Sequence, residues 1–255
     1  MNNVLLLHVK FKFPLPYDKV VWLKKPVSAI LGDLRKIRDS SAVDYLNGID
    51  TELFFNRDEE TGYSENRYPL IHYKSTDGHA AITGINEGAV ALQNLLSFLN
   101  ENKLPGIGKR HLINKQNPVD LSEFYSPNVE KFNIQLLSRK KTYIIKNWLP
   151  LDNIRYKTWV TSPDLRTLAD ILSECLPRQI SRMLSGLGVR ENLPFIAEVC
   201  HILKGHPLQQ VYKEKKLGFD CIFQTNLDLP ADIGIGQVAG IGYGRIFPWN
   251  SKDYF

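Results

Sequence analysis

The order in which apolar periodicity changes along the first half of the chain limits its fold more than any other feature. Residues 3 to 13 set Val9, Phe11 and Phe13 against Lys10 and Lys12 with a period of two and stop at Pro14 and Pro16, which predicts a strand. From Pro26, a good first helical residue, Val27, Ile30, Leu31, Leu34 and Ile37 recur at helical spacing, with Arg35, Lys36 and Arg38 on the polar side. Beyond a polar loop over about 47–66, the runs YPLIHYKS and HAAITGI flank Asp77-Gly78, a hairpin signal. Ala89, Leu92, Leu95, Leu96 and Leu99 then mark a second helix, and Leu104-Pro105-Gly106 leads to a strand expected near 107–113. The sum is β-α-β-β-α-β, the split βαβ order of a ferredoxin-like (RRM-like) domain.

The second half repeats the mixture without repeating the sequence. The stretch 117–128 is polar and holds Pro118 and Pro127, so it is the expected linker, with domains over 1–122 and 123–255. Strands are predicted at FNIQLL, TYIIKNWLPL, FIAEVCHIL, LQQVYK, FDCIFQTNL and GRIF, with one helix near 164–185. The expected class is therefore α+β: two tandem ferredoxin-like (βαββαβ) domains, the second carrying a glycine-rich loop at 234–244.

Hydrophobic residues make up 43% and charged residues 23%, which is globular rather than disordered composition. A formal net charge of +5 admits a polyanion as partner, and a merely solvated basic surface equally. Cys175, Cys200 and Cys221 lack CxxC spacing, which fits a reducing cytoplasm and no structural zinc. His8, Lys10 and Lys12 interrupt the apolar start too early for a signal peptide or membrane span, so no membrane partner is expected.

IGIGQVAGIGYGRIF concentrates Gly234, Gly236, Gly240, Gly242 and Gly244 ahead of Arg245. Backbone without side chains lets amides approach an anion such as phosphate, and it also permits a tight turn at a sheet edge; both explanations stand on composition. A dinucleotide fingerprint is excluded. The third glycine follows the second by four positions, no lysine-serine/threonine pair follows, and 15 residues after Gly240 cannot supply the rest of that unit.

With this loop, the segments TYIIKNWLPLDNIRY and VYKEKKLGFDCIFQTNLDLPADIGIGQVAGIGYGRI resemble the second domain of the repeat-associated RAMP superfamily. ENRYPLIHYK resembles the R-Y-P-L-I-Q-Y-K strand of CRISPR-associated endoribonucleases that cut precursor CRISPR RNA within its repeats. The resemblance implies CRISPR repeat RNA as substrate and a CRISPR interference complex as a further partner, in a monomer or homodimer. It also implies metal-independent, cofactor-free cleavage by the repeat's own 2′-hydroxyl. That chemistry needs a base, an acid and a cation for the phosphorane charge.

Such proteins commonly carry histidine, often as H-N-H, where this chain reads Phe55-Asn56-Arg57. His72 stands where their strand usually has glutamine and is a candidate for proton transfer. Arg57, with Lys74 or Arg35, is a candidate for stabilising charge without a histidine. His8, His79, His111, His201 and His206 have no supporting motif and are expected to be surface or hydrogen-bonded residues. Candidate RNA contacts are the five glycines, Arg245, Lys213, and the pair Arg178 and Arg182 on one helix face. A non-catalytic RNA-binding subunit and an enzyme holding a small phosphorylated ligand remain as alternatives.

Overall fold

A computed structural model describes residues 2–36, 49–55, 68–102, 109–112, 117–161, 163–189, 193–211 and 214–250. The chain divides into two compact units. One is Val4–Phe132 with Gly240–Gly242, and the other is built mainly from Asn133–Ala239 and the segment from Tyr243 onward.

In the first unit, strand β1 (Asn3–Pro14) leads through a 3-10 turn (Tyr17–Lys19) into helix α1 (Val20–Lys36) and the short α2 (Thr51–Phe55). Strands β2 (Ile71–Thr76) and β3 (His79–Ile85) form the hairpin, and α3 (Glu87–Asn102) follows. Helix α1 begins six residues before Pro26, because Val20 and Leu23 extend the stripe of Val27, Ile30 and Leu31, all at most 2% exposed. That burial holds the helix through the proline, which would otherwise break it. The turn expected at Asp77-Gly78 has positive φ at both residues, 49° and 74°, the conformation of a two-residue hairpin loop.

The strand expected near 107–113 forms, but outside the first sheet. Residues Lys109–Leu112 (β4) pair with Asn117–Asp120 (β5) in a separate two-stranded ribbon, and Asn128–Asn133 (β6) completes the first sheet in the order β2-β3-β1-β6. Strand β6 is exposed at almost every position, so it has no alternation to read. The expected linker is also paired rather than free: Lys12 donates to Glu123 O at 3.0 Å, Tyr125 donates to Lys10 O at 2.9 Å, and Leu121 is 1% exposed. The first compact unit accordingly runs to Phe132. Helix α1 packs on β2 and α3 on β3.

The second unit contains β7 (Gln135–Trp148), α4 (Asn153–Thr161), α5 (Leu165–Gly186), β8 (Ala197–Val211), β9 (Glu214–Asp228) and β10 (Arg245–Pro248). Its sheet order, β10-β7-β9-β8, matches that of the first unit. FIAEVCHIL and LQQVYK belong to one bulged strand, β8, because its ladder with β9 continues past Pro207. Tyr143, Ile145, Cys221, Phe223 and Thr225 are fully buried on one side of this sheet. Helix α5, capped by Asp164 accepting from Thr167 N at 2.8 Å, packs on β8. No second helix follows β9; residues 229–244 contain only a 3-10 turn at Ala239–Ile241.

Candidate functional site

Strand β2 is the edge of the first sheet and is buried on both faces, so His72 and Lys74 are only 2% and 3% exposed. The His72 Nε2 atom lies 3.0 Å from Pro69 O. A carbonyl can only accept, so the ring donates from Nε2. Tyr68 meets the same ring edge-on at 5.4 Å, and burial drives its hydroxyl above the ordinary phenol range. On the opposite face of β2, Tyr73 donates its hydroxyl to Phe54 O at 3.0 Å. The register aligns His72, Thr83 and His8 in one row, and His8 Nδ1 lies 3.0 Å from Thr83 Oγ1.

The tip of the glycine loop belongs to this unit. A Cβ at Gly240 would lie 3.0 Å from the Pro69 side chain and 3.3 Å from Ile71 O, and one at Gly242 would lie 3.3 Å from Tyr73 O. Tyr17 donates its hydroxyl to Gly242 O at 3.0 Å. The structure therefore gathers His72, Lys74, Gly240 and Gly242 along one strand edge. Arg57 lies outside the described residues, as does the side chain of Arg35 on α1.

The other glycines pack within the second unit. A Cβ on Gly234 would come within 2.8 Å of Ala239 Cβ, one on Gly236 within 2.8 Å of Trp148 Nε1, and one on Gly244 would overlap the Ile235 carbonyl. Loop amides are consumed locally: Asp232 N donates to Ile246 O, Ile235 N to Gly244 O, Gly244 N to Asn147 O and Gln237 N to Leu149 O. These bonded amides are spent on carbonyls, and close packing gives Gly234, Gly236 and Gly244 a structural role.

Arg245 is ion-paired with Asp232 and lies 5.3 Å from the centroid of Phe247. Arg178 and Arg182 are exposed on α5, with Arg178 bonded to Glu174 at 2.9 Å; Lys213 lies outside the described residues. These cations sit on separate elements from β2.

Sequence reasoning missed a pocket of about 320 Å³ on the second sheet, lined by Thr142, Cys200, His201, Ile222, Gln224 and Trp249. The available signal was the alternation of Phe247 and Trp249 in the last described residues. Among the described residues no group of three or more histidine, cysteine or acidic side chains is placed to hold a metal. No described helix is long and apolar enough to cross a membrane.

Two helix-backed sheets of the same strand order define a tandem ferredoxin-like protein, and solved structures share that arrangement. One described as the crystal structure of Cas6b superposes with a TM-score of 0.71 at 18% identity, covering 97% of this chain and 100% of that one. A second, described as the CRISPR RNA processing endoribonuclease Cas6b, gives 0.61 at 18% identity with the same coverage. A third, described as Csf5, a type IV Cas6 crRNA endonuclease, gives 0.54 at 15%, covering 97% of this chain and 100% of that chain. No curated protein matches. The Cas6b N-terminal domain model matches residues 26–120 and the Cas6b C-terminal domain model residues 136–249, so the chain belongs to the Cas6b family.

Proposed function

We propose that this protein binds CRISPR repeat RNA and cleaves precursor CRISPR RNA within the repeat, without a metal ion. The observation that carries this reading is the match of both Cas6b domain models along one chain with tandem ferredoxin-like units. Solved structures of the same fold described as CRISPR RNA processing endoribonucleases support it.

In the proposed reaction the ribose 2′-oxygen bonds to the adjacent phosphorus as the bond to the 5′-oxygen breaks. A base takes the 2′-hydroxyl proton and an acid protonates the departing 5′-oxygen, leaving a 2′,3′-cyclic phosphate and a 5′-hydroxyl. Arg57, with Lys74 or Arg35, supplies cations for the charge that builds on the phosphorane oxygens, and His72 is the proton-handling candidate on β2. Arg178, Arg182, Lys213, Arg245 and the five glycines of the loop are the candidate contacts for the RNA backbone.

One observation favours a second reading, a subunit that binds the repeat without cutting it. A general base must come within hydrogen-bond reach of the proton it takes, whereas His72 is 2% exposed and bonded to Pro69 O. Incubating the protein with labelled repeat RNA in EDTA separates the two. Cleavage at one position, abolished by a 2′-deoxy sugar there, supports the endonuclease; tight binding of intact RNA supports the subunit. If cleavage occurs, a proton-transfer role predicts that His72→Ala slows it about 100-fold or more. Unchanged rates in both His72→Ala and Arg57→Ala would remove these residues from the reaction.

A further inference from the structure

Two rows of side chains cross the second sheet on the face opposite Tyr143 and Phe223. Directly opposed residues of paired strands point to the same side. The register places Phe247, Ile144, Ile222 and His201 in one row, and Thr142, Gln224 and Glu198 in the next. Trp249 extends the second row, its backbone amide donating to Thr142 O at 2.9 Å. The pocket of about 320 Å³ lies among these residues. It opens outward: Cys200 and His201 are exposed, and Thr142, Gln224 and Trp249 are half-buried.

We propose that this pocket receives one unpaired nucleobase of an RNA strand crossing that face, which rests on the RNA-binding reading above. The flat ring of Trp249, which lines the pocket, suits stacking, which holds any base by its π-face. The Gln224 carboxamide supplies the edge contact. Its Nε2 donates to Thr142 Oγ1 at 3.2 Å, which anchors the amide beside the pocket. The second N–H and Oε1 then form an adjacent donor and acceptor, and no other described side chain bonds to them. That pairing complements a base edge.

His201 adds a rim imidazole that no described residue engages in a hydrogen bond. Exposed Lys146, with Nζ 5.8 Å from the Phe247 centroid, supplies a cation beside that ring for the flanking phosphate. Pocket and aromatic rows thus combine stacking, edge recognition and charge. A closed apolar void would offer only burial.

The test is fluorescence anisotropy with a labelled repeat RNA, its bases replaced one at a time by abasic sites. Wild-type protein should show one position where losing the base weakens binding about tenfold. Trp249→Ala should bind intact RNA about tenfold more weakly and lose that positional dip, Trp249→Phe should restore most of the affinity, and Gln224→Ala should make the preferred base indifferent. Thermal melts check that each variant folds. A flat abasic scan in the wild type, or unchanged affinity in Trp249→Ala, would overturn the pocket while leaving the RNA-binding reading intact. Wild-type protein that binds no repeat RNA would overturn both.

Discussion

The two units arrange four strands in the same order but fill the connection to the last strand differently. In the first, β3 passes almost at once into α3, whose Ala89, Leu92, Leu95, Leu96 and Leu99 are buried. Helix and strand meet closely because Gly84 and Gly88 lack side chains: a Cβ at Gly84 would fall 2.6 Å from Ala89 Cα, and one at Gly88 would overlap Leu70 O. In the second, an irregular segment over 229–239 and 243–244 replaces the helix, and Leu229, Ile233, Ile235, Ala239 and Tyr243 fill the core from it. A helix satisfies its own amides, whereas a buried loop must find partners one by one. The loop does so through β10, β7 and itself. Both solutions depend on glycine for close approach.

The largest effect expected from this comparison is at Gly244. Its φ of +65° and its contact with the Ile235 carbonyl leave no room for a side chain. Gly244→Val is expected to cost about 3 kcal/mol or more in urea unfolding, and Gly88→Val in the first unit a comparable amount. If Gly244→Val melted like the wild type, the loop would not be the packed equivalent of a helix.

A smaller effect is expected where each unit buries a polar atom of an aromatic ring. Trp148 is fully buried and its indole donates to Gln179 Oε1 at 2.6 Å, which ties β7 to α5; Tyr73 donates to Phe54 O across the first unit. Trp148→Phe and Tyr73→Phe each leave an acceptor without its donor, at about 1–3 kcal/mol. Chemical denaturation of both variants measures whether the two units rely equally on such ties. A cost confined to one unit would break the symmetry.

The parts of the fold legible in the sequence are those marked by one-sided burial or by turn chemistry. Strand β1, the Asp77-Gly78 hairpin and helices α3 and α5 all announce themselves by period or by turn chemistry. Strand β6 does not, because an edge strand exposed at nearly every position needs no apolar alternation. The glycines were legible as a cluster, but composition weighs amides offered to an anion and amides spent on carbonyls alike; the structure spends those of Asp232, Ile235 and Gly244 on carbonyls. His72 was legible as a chemically able residue on a strand. The Pro69 carbonyl that holds its ring is only three residues away, but the burial of its strand on both faces depends on chain brought from far away in sequence. The pocket was illegible for a related reason: Thr142, His201, Gln224 and Trp249 come from separate strands and the segment beyond β10, and share no local motif.

The smallest expected effect concerns α4, which has no counterpart among the well-buried helices of the first unit. No residue of α4 is buried, and Ile154 is 77% exposed, so burial does not hold it in place. Asp152 caps it instead. Its carboxylate accepts from Arg155 N at 2.8 Å and pairs with the Arg155 guanidinium, and its carbonyl accepts from Tyr156 N. The Arg155 amide, aided by the guanidinium charge and opposed by slight burial, holds the Asp152 carboxyl below the usual carboxylate range. A carboxyl depressed on folding contributes stability that is present above its unfolded pKa of about 4 and lost as pH falls through the lower folded value. Asp152→Ala is therefore expected to cost about 1 kcal/mol near neutrality, the usual size of a lost cap, and nothing in strong acid, where the wild type has lost the same interaction. Amide hydrogen exchange across Asn153–Thr161 reads this directly. Exchange should quicken there in the variant while α3 and α5 keep their protection, and acidifying the wild type should reproduce the variant's pattern. Equal protection of α4 in both proteins at neutral pH would mean that something other than its cap holds this helix.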